Sequence, residues 1–292
     1  LSTAATPAVF IGSPSGDSPT RDTAMDTTTP FPLRPRLGIL GFGAFGRFMA
    51  THLRHHFDLV AYDPSPVPVV DGVRMVSLAT VASCPILILA VPVARLAETL
   101  GAARPHVRPG ALVLDVGSVK VLPATLMRDR LPANVRIVAT HPLFGPESGR
   151  NGIAGLKIAV CPVRGDGGRR VAAFLRRAFG LRVFVTSPEE HDREAAIAQG
   201  VTHLVARALV GLEPLPTRIT TRSFDLLMEA IGMVRNDAPG VLQAIEQLNP
   251  YAADIRRRFL ALAAAVPVSP ALPAAPDPSS AAPASAGRSG GT

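Results

Sequence analysis

The stretch Arg36-Leu-Gly-Ile-Leu-Gly-Phe-Gly-Ala-Phe-Gly46 joins a short apolar run to three glycines spaced as Gly-x-Gly-x-x-Gly. The run 36–40 predicts a β-strand, and residues 44–56 predict the helix that follows. In that setting the first glycine permits a tight turn, the second lets a ligand approach the backbone, and the third lets the helix pack closely on the strand. Free N–H groups at the start of the helix suit a pyrophosphate. We therefore predict a dinucleotide-binding loop, the alternative being a glycine-rich turn without a ligand. The predicted cofactor-binding residues of the loop are Gly41, Phe42, Gly43, Ala44, Phe45 and Gly46.

Further apolar runs follow the loop and alternate with helical patterns. The run Ile86-Leu-Ile-Leu-Ala-Val91 contains no polar residue, which is typical of a strand buried on both faces of a parallel sheet. This alternation predicts right-handed βαβ units and a Rossmann-like, doubly wound parallel sheet in an α/β protein. Beyond residue 185 only helical patterns remain, over 187–212, 219–234 and 238–265. The predicted strands are 36–40, 59–62, 73–76, 86–91, 111–115, 135–139, 156–160 and 181–185.

Composition divides the chain into four parts. Residues 1–34 and 267–292 are rich in small and polar residues and proline, and we predict that both are disordered tails. Residues 35–186 form the predicted dinucleotide-binding domain, and residues 187–266 form a smaller, all-helical domain. A capping box at Ser187-Pro-Glu-Glu190 marks the start of the helical domain.

Charge and composition argue against several classes of function. The formal net charge is +8, but the arginines are scattered and tryptophan is absent, so we expect no nucleic-acid binding. No apolar run is long enough to cross a bilayer, so we expect no membrane span. The two cysteines, Cys84 and Cys161, are not spaced as metal ligands or as a disulfide framework. We therefore expect no metal site and a cytoplasmic location, with plastid targeting left open.

Asp63 closes the second predicted strand. A carboxylate at that position can accept hydrogen bonds from the ribose hydroxyls of NAD, and it repels the 2′-phosphate of NADP. The residues that follow it, Pro64-Ser-Pro66, contain no arginine to bind that phosphate. NAD is the predicted cofactor and NADP is left open. The alternative role of Asp63 is to start an Asp-Pro turn.

Three other strand ends carry residues suited to chemistry, because ligands bind at the carboxyl ends of the strands in open α/β sheets. Val91 and Pro92 close the fourth strand and are predicted to lie near the nicotinamide. Ser118 follows the fifth strand and His141 the sixth. Imidazole can take the proton that an alcohol loses during hydride transfer, and a serine hydroxyl can hold the same oxygen. The alternatives are a simple helix N-cap for Ser118 and a packed histidine under a proline-rich turn for His141.

The helical domain contains two sets of polar residues at helical spacing. Gln199, His203 and Arg207 are four residues apart and form a polar stripe on an otherwise apolar helix. Arg218 and Arg222 are also four apart and could together bind a carboxylate. We predict that these five residues bind substrate, the alternative being a solvated helix face.

The motifs together resemble a known family. The loop 41–46, Leu89-Ala-Val-Pro92, Asp115-Val-Gly-Ser-Val-Lys120, His141-Pro-Leu-Phe-Gly-Pro146 and the helix 191–203 occur in the order and spacing of the prephenate/arogenate dehydrogenase family of tyrosine biosynthesis. The sequence is most similar to the short arogenate-type members of plants and cyanobacteria. The resemblance covers about residues 36–262, and its serine and histidine motifs are more specific than the glycine loop.

The resemblance implies an NAD(P)-dependent oxidative decarboxylation of arogenate or prephenate. It implies that His141 takes the proton of the substrate hydroxyl and that Ser118 shares the hydrogen-bond network. It also implies a homodimer, and a substrate arginine that Arg222 matches weakly. Prephenate-type bacterial members often carry a second histidine where this chain has Ala206, a departure that favours arogenate.

Two other functions compete with this one. Another NAD(P)-dependent dehydrogenase or an imine reductase could share the architecture, but some of those enzymes need a lysine in the helical domain and this chain has none after Lys157. A non-catalytic NAD-binding sensor or scaffold is the other alternative, and the presence of Ser118 and His141 argues against it. The sequence leaves open the preferred substrate, inhibition by tyrosine and the role of the tails.

Overall fold

A computed structural model describes residues 34–267. The two predicted tails lie outside the described residues, apart from their innermost positions.

The core of the structure is a sheet of eight strands in the order β3-β2-β1-β4-β5-β6-β7-β8. The strand order reverses between β1 and β4, which creates a crevice at the carboxyl ends of these two strands. The apolar run of β4 is almost entirely buried, as its lack of alternation predicts. The strands are β1 Arg36–Leu40, β2 Asp58–Tyr62, β3 Val73–Met75, β4 Ile86–Leu89, β5 Leu112–Asp115, β6 Arg136–Pro142, β7 Lys157–Arg164 and β8 Arg182–Val185.

The prediction of a doubly wound α/β sheet is confirmed, but the sheet is not parallel throughout. Strand β7 runs antiparallel to β6, while the other six strand pairings are parallel. The connection between β6 and β7 contains no helix to carry the chain across the sheet, so the chain turns back beside the strand it has left. β6 also extends to Pro142, so His141 lies within a strand, opposite Ala159, rather than after its end.

Five helices cover the sheet. Three of them pack on one face, where their apolar residues join a cluster that includes Leu87, Val113 and Ile137. The other two pack on the opposite face around Ile39, Leu59 and Val160. The first group is α2 Leu78–Ala82, α3 Leu96–Ala103 and α4 Val121–Arg130, and the second is α1 Ala44–Leu53 and α5 Gly167–Phe179.

The chain beyond β8 is helical, as predicted, but two predicted helices are broken. The predicted helix 187–212 is divided at Gln199, and the predicted helix 238–265 is interrupted by a π-helical turn and the extended residue Asn249. The Ser187 cap is confirmed, since its hydroxyl accepts the N–H of Glu190 at 3.1 Å. The helices are α6 Pro188–Ala198, α7 Gly200–Val210, α8 Arg222–Val234, α9 Pro239–Gln243 and α10 Ala252–Ala265.

No helix within residues 34–267 is both long and apolar enough to span a membrane. The division into a dinucleotide-binding domain and a helical domain stays a prediction.

Candidate active site

The glycine loop has the geometry of a ligand cradle. Gly41 adopts φ 88°, and a Cβ there would lie 2.5 Å from the carbonyl oxygen of Ala90. A Cβ on Gly46 would collide with the carbonyl oxygen of Gly41. A Cβ on Gly43, in contrast, would meet no atom within 4 Å. The first and third glycines are therefore required by packing, whereas the second faces open space through which a ligand can reach the backbone.

The start of α1 is suited to bind an anion. Its N-cap residue Gly43 provides no side-chain hydrogen bond, and the first turn contains no acidic residue. The N–H groups of this turn and the positive end of the helix dipole therefore face the open space beside Gly43. Phe42 contributes least to such a site, because its side chain is fully buried and its N–H is already donated to Asp63.

Asp63 connects the glycine loop to the end of β2. Its Oδ2 accepts the N–H of Phe42 at 2.8 Å, and its Oδ1 accepts the N–H of Ser65 at 2.9 Å. The second bond forms the turn expected of an Asp-Pro sequence. The carboxylate thus stabilises both the turn and the loop at the edge of the crevice.

A buried ion pair joins the ends of β5 and β6. The Nζ of Lys120 lies 2.5 Å from Oδ2 of Asp115 and donates to the carbonyl oxygen of Thr140 at 2.6 Å. Burial raises the pKa of Asp115, and the charge and hydrogen bond of Lys120 oppose this rise. The other carboxylate oxygen of Asp115, Oδ1, has no hydrogen-bond partner among the described residues. Lys120 thereby links the end of β5 to Thr140, the residue directly before His141.

His141 is 4% exposed and belongs to a chain of hydrogen-bonded side chains. Its Nδ1 lies 2.9 Å from Nε2 of His191, whose Nδ1 lies 2.8 Å from Oδ1 of Asp192. Burial holds the pKa of His141 well below its usual value, and its electrostatic interactions with His191 and Lys120 lower that pKa further. His141 is therefore a neutral imidazole at physiological pH, the form that can accept a proton.

Asp192 also caps α4 from a distant part of the chain. Its carboxylate accepts the N–H of Lys120 at 2.7 Å and the N–H of Val121 at 2.9 Å. α4 therefore begins later than an N-cap at Ser118 requires, and the interpretation of Ser118 as that cap is wrong. The half-buried Ser118 lies in the loop between β5 and α4.

The predicted substrate residues of the helical region lie in different environments. Oε1 of Gln199, at the break between α6 and α7, is buried and unpartnered among the described residues. His203 is buried, and its Nε2 lies 3.5 Å from Oδ2 of Asp237. Burial lowers the pKa of His203, an effect that the carboxylate of Asp237 opposes. The predicted polar stripe is thus half-buried at Gln199, buried at His203 and exposed at Arg207.

The three predicted substrate arginines are exposed. Arg207 donates two hydrogen bonds to Glu246, at 2.8 and 3.0 Å, and Arg222 pairs with Glu229 at 3.4 Å. Arg218 lies in the segment between α7 and α8. The structure does not bring these arginines into the buried cluster around His141.

The helical region reaches the predicted nicotinamide side of the crevice. A Cβ on Gly240 would lie 3.4 Å from Cβ of Pro92, so α9 packs directly on the chain after β4. Val93, Val119 and Ala244 form a buried cluster beside this contact. Asp237 precedes α9 by two residues and contacts His203.

Comparison with known proteins identifies the family. A sequence model described as "Prephenate dehydrogenase, nucleotide-binding domain" matches residues 65–155. Arogenate dehydrogenase 2, chloroplastic, of Arabidopsis thaliana is 32% identical over 242 residues, which make up 77% of this chain and 66% of that protein. The chain belongs to the prephenate/arogenate dehydrogenase family.

Other relatives agree with this assignment. Arogenate dehydrogenase 1, chloroplastic, of Arabidopsis thaliana is 30% identical over 77% of this chain, which spans only 38% of that protein's length. The probable arogenate/prephenate dehydrogenase of Methanocaldococcus jannaschii is 30% identical over 60% of this chain and 41% of its own length. The chain therefore spans less than two thirds of each of these relatives.

Solved structures of the family share the fold. Prephenate dehydrogenase from A. aeolicus, in complex with hydroxyphenyl propionate and NAD+, is 22% identical with a TM-score of 0.63, over 79% of this chain and 88% of that one. Synechocystis arogenate dehydrogenase is 19% identical with a TM-score of 0.56, over 78% and 90% of the two chains. The predicted resemblance to the family, and its Rossmann-like fold, are both confirmed.

Two features of this family member are not predicted by its sequence motifs. Asp115 and Lys120 stand at the ends of one recognised motif, yet nothing in that motif showed that they form a buried ion pair. His191 and Asp192 open the recognised helix, but only the folded chain brings them to His141. The signal that could have found them is a His-Asp pair at the start of a predicted amphipathic helix. Among residues 34–267 no group of three or more His, Cys, Asp or Glu side chains could hold a metal ion.

Proposed function

We propose that the protein catalyses the oxidative decarboxylation of arogenate, prephenate or both, with a nicotinamide dinucleotide as the hydride acceptor. The observation that carries this proposal is the position of His141. It is a buried, neutral imidazole at the carboxyl edge of the sheet that also carries the glycine loop. The family assignment names the reaction that such a base would serve.

The glycine loop fits the proposed cofactor. The open space at Gly43 and the uncapped N–H groups of α1 would receive the pyrophosphate, and Val91 and Pro92 would border the nicotinamide. When bound, the nicotinamide accepts a hydride from the substrate. Asp63 favours NAD over NADP, because its carboxylate would repel a 2′-phosphate and offers oxygens to ribose hydroxyls.

His141 would accept and return the proton of the substrate hydroxyl. Nε2 of His141 accepts the proton of the ring hydroxyl as the carbinol carbon gives up its hydride, and the Ser118 hydroxyl holds the same oxygen. The ring carboxylate then leaves as CO2, and the electron pair of the broken bond makes the ring aromatic. The resulting phenolate oxygen takes the proton back from His141, so the acid–base group returns to its starting state.

The helical region would recognise the side chain of the substrate. Gln199 is half-buried there with a buried Oε1, and His203 is buried. Arg207, Arg218 and Arg222 are also proposed to bind substrate, and their exposure makes them the weaker candidates. Asp237 adds a negative charge beside His203. A carboxylate attracts the side-chain ammonium of arogenate and not the keto group of prephenate, so it favours arogenate, as does Ala206.

The remaining parts of the proposal rest on the family and on composition. We propose that the helical region is a separate domain that mediates a homodimer. We also propose that the protein has no nucleic-acid or membrane partner. The two free cysteines, Cys84 and Cys161, are buried, which suits a reducing compartment such as the cytoplasm. The Arabidopsis relatives are named chloroplastic, so the plastid is the other proposed location.

The test combines both substrates with both cofactors and compares the protein with its His141→Asn variant. We expect the reduced cofactor to form with NAD and arogenate, and we expect the variant to lose roughly 10²-fold or more in kcat while its Kd for NAD stays unchanged. The matched control is His106→Gln, which changes an exposed histidine in the segment between α3 and β5. Equal activity in the His141 variant would refute its role, and no reduction with any pair would refute the function.

A further inference from the structure

A buried line of three side chains runs from the catalytic edge of the sheet into the helical region. His141 on β6, His191 on α6 and Asp192 beside it are 4%, 6% and 0% exposed. The contacts from His141 Nδ1 to His191 Nε2 and from His191 Nδ1 to Asp192 Oδ1 measure 2.9 and 2.8 Å. His191 therefore uses both ring nitrogens within the line, and His141 uses only Nδ1. Nε2 of His141 remains for a substrate.

The donors around Asp192 determine the direction of every bond in this line. Both of its oxygens accept backbone N–H groups, from Lys120 and Val121 at the positive start of α4. Nδ1 of His191 must then be the donor to Asp192 Oδ1, because a carboxylate is an acceptor. Neutral His191 has a bare Nε2, so it accepts the Nδ1–H of His141. This assignment leaves Nε2 of His141 without a proton, ready to act as a base.

The position of Asp192 is itself fixed. Its backbone carbonyl accepts Nδ2 of Asn249 at 2.8 Å, and Oδ1 of Asn249 accepts the N–H of Tyr251 at 2.9 Å. Asp192 is thus held at its carboxylate by the start of α4 and at its backbone carbonyl by Asn249. The line cannot easily rearrange, which favours a preorganised role over a fortuitous contact.

We propose that His191 and Asp192 form a proton relay behind His141, with His191 as a positioning residue that also carries the proton during turnover. The relay rests on the proposed function in one respect, because the proton that it carries comes from the substrate hydroxyl. As the substrate O–H gives its proton to Nε2 of His141, the Nδ1–H of His141 moves to Nε2 of His191. His141 ends neutral with its proton on Nε2, and the positive charge resides on His191 against Asp192. The return of the proton to the phenolate reverses both transfers.

The surrounding charges favour this location of the positive charge. His141 faces Lys120, whose ammonium is paired with Asp115, and a lasting charge on His141 would be repelled by that lysine. On the neighbouring strand β7, burial raises the pKa of Cys161 to about 12, so this thiol adds no negative charge. The carboxylate of Asp192 is hydrogen-bonded to the ring of His191. The charge is therefore more stable on His191 than on His141.

The first test needs no substrate. Nitrogen NMR of the ¹⁵N-labelled protein reports which nitrogen of each imidazole carries a proton, and His141→Asn identifies the resonances of His141. We expect His141 as the Nδ1–H form near neutral pH, and we expect the first proton added on acidification to appear on His191. A His141 in the Nε2–H form, or one that takes the first proton itself, would overturn the proposal even if the enzyme is active.

The second test separates a relay from a purely structural contact. His191→Gln can still accept the Nδ1–H of His141 but cannot take its proton, and His191→Phe can do neither. We expect both variants to bind NAD normally and both to lose roughly 10²-fold or more in kcat. In His191→Gln the acid limb of the pH profile should move to lower pH, because the His191–Asp192 pair no longer takes the first proton. Rescue by Gln to within about twofold of the His106→Gln control, or an unmoved acid limb, would show that His191 only supports the structure.

Discussion

The second glycine of the loop offers a test in which folding and ligand binding are separated by design. Gly43 has φ −64° and ψ −165°, a conformation open to any residue, and an added Cβ would meet no atom within 4 Å. We expect Gly43→Ala to cost about 0.5–1 kcal/mol of unfolding free energy, the difference between Gly and Ala at a helix N-cap. Its new methyl group nevertheless projects into the space that the pyrophosphate needs. Losing one charge-assisted hydrogen bond there, worth about 1.5–3 kcal/mol, weakens NAD binding roughly tenfold to a hundredfold.

Gly46→Ala is the matched control, because it makes the same change three residues later. Its Cβ would collide with the carbonyl oxygen of Gly41, so the backbone must move. Overpacking of this kind costs about 1–3 kcal/mol, which the better helix propensity of alanine offsets by about 1 kcal/mol. Calorimetric titration with NAD and chemical denaturation measure the two effects separately. If Gly43→Ala binds NAD within about twofold of the unmodified protein, the loop is only a structural turn and the reasoning fails.

Four further predictions concern Lys120, His141, Asp63 and Asp237. Lys120→Met leaves the Asp115 carboxylate buried without its cation and should lower the free energy of unfolding by roughly 3–5 kcal/mol, most of it recovered in the double variant with Asp115→Leu; an unchanged denaturation midpoint would contradict this. In His191→Gln, where His141 is the imidazole left in the line, the depressed pKa of His141 should keep the base unprotonated as pH falls through 6.5, so kcat/KM of that variant should decline only below that value; a midpoint at or above 6.5 in that variant argues against it. Asp63→Ser should relax the preference for NAD over NADP in steady-state kinetics, and an unchanged ratio would leave Asp63 as a turn residue. Asp237→Asn should lower kcat/KM for arogenate roughly tenfold while sparing prephenate, and equal losses for both would refute its role.

The local parts of the architecture could be predicted because their signals are local. The glycine loop and the unbroken apolar run of β4 are each read from fewer than a dozen neighbouring residues, and the structure confirms both elements. The cap at Ser187 is equally local, since its partner is Glu190. Patterns of this kind depend on backbone geometry and solvent exposure alone.

The parts that could not be predicted depend on contacts between distant residues. Asp192 caps α4 from another helix, and no property of residues 118–121 indicates that the cap comes from there rather than from Ser118. The antiparallel direction of β7 is decided by the loop that precedes it, whereas the strand pattern itself carries no direction. Likewise, the contact of His141 with His191 exists only because α6 packs against α4 and the end of β6. Sequence motifs located these residues in one family without showing how they act on one another.

Oxidative decarboxylation releases CO2 and reduced nicotinamide together, so both are measured in the same reaction. Purified protein is mixed with NAD and arogenate, and in parallel with prephenate, and both products are quantified over time. We expect the two products to appear in equal amounts with at least one substrate and to be lost together in His141→Asn. Reduced nicotinamide without CO2 would identify a different dehydrogenase on the same fold, and the absence of both products with either substrate would refute the proposed oxidative decarboxylation.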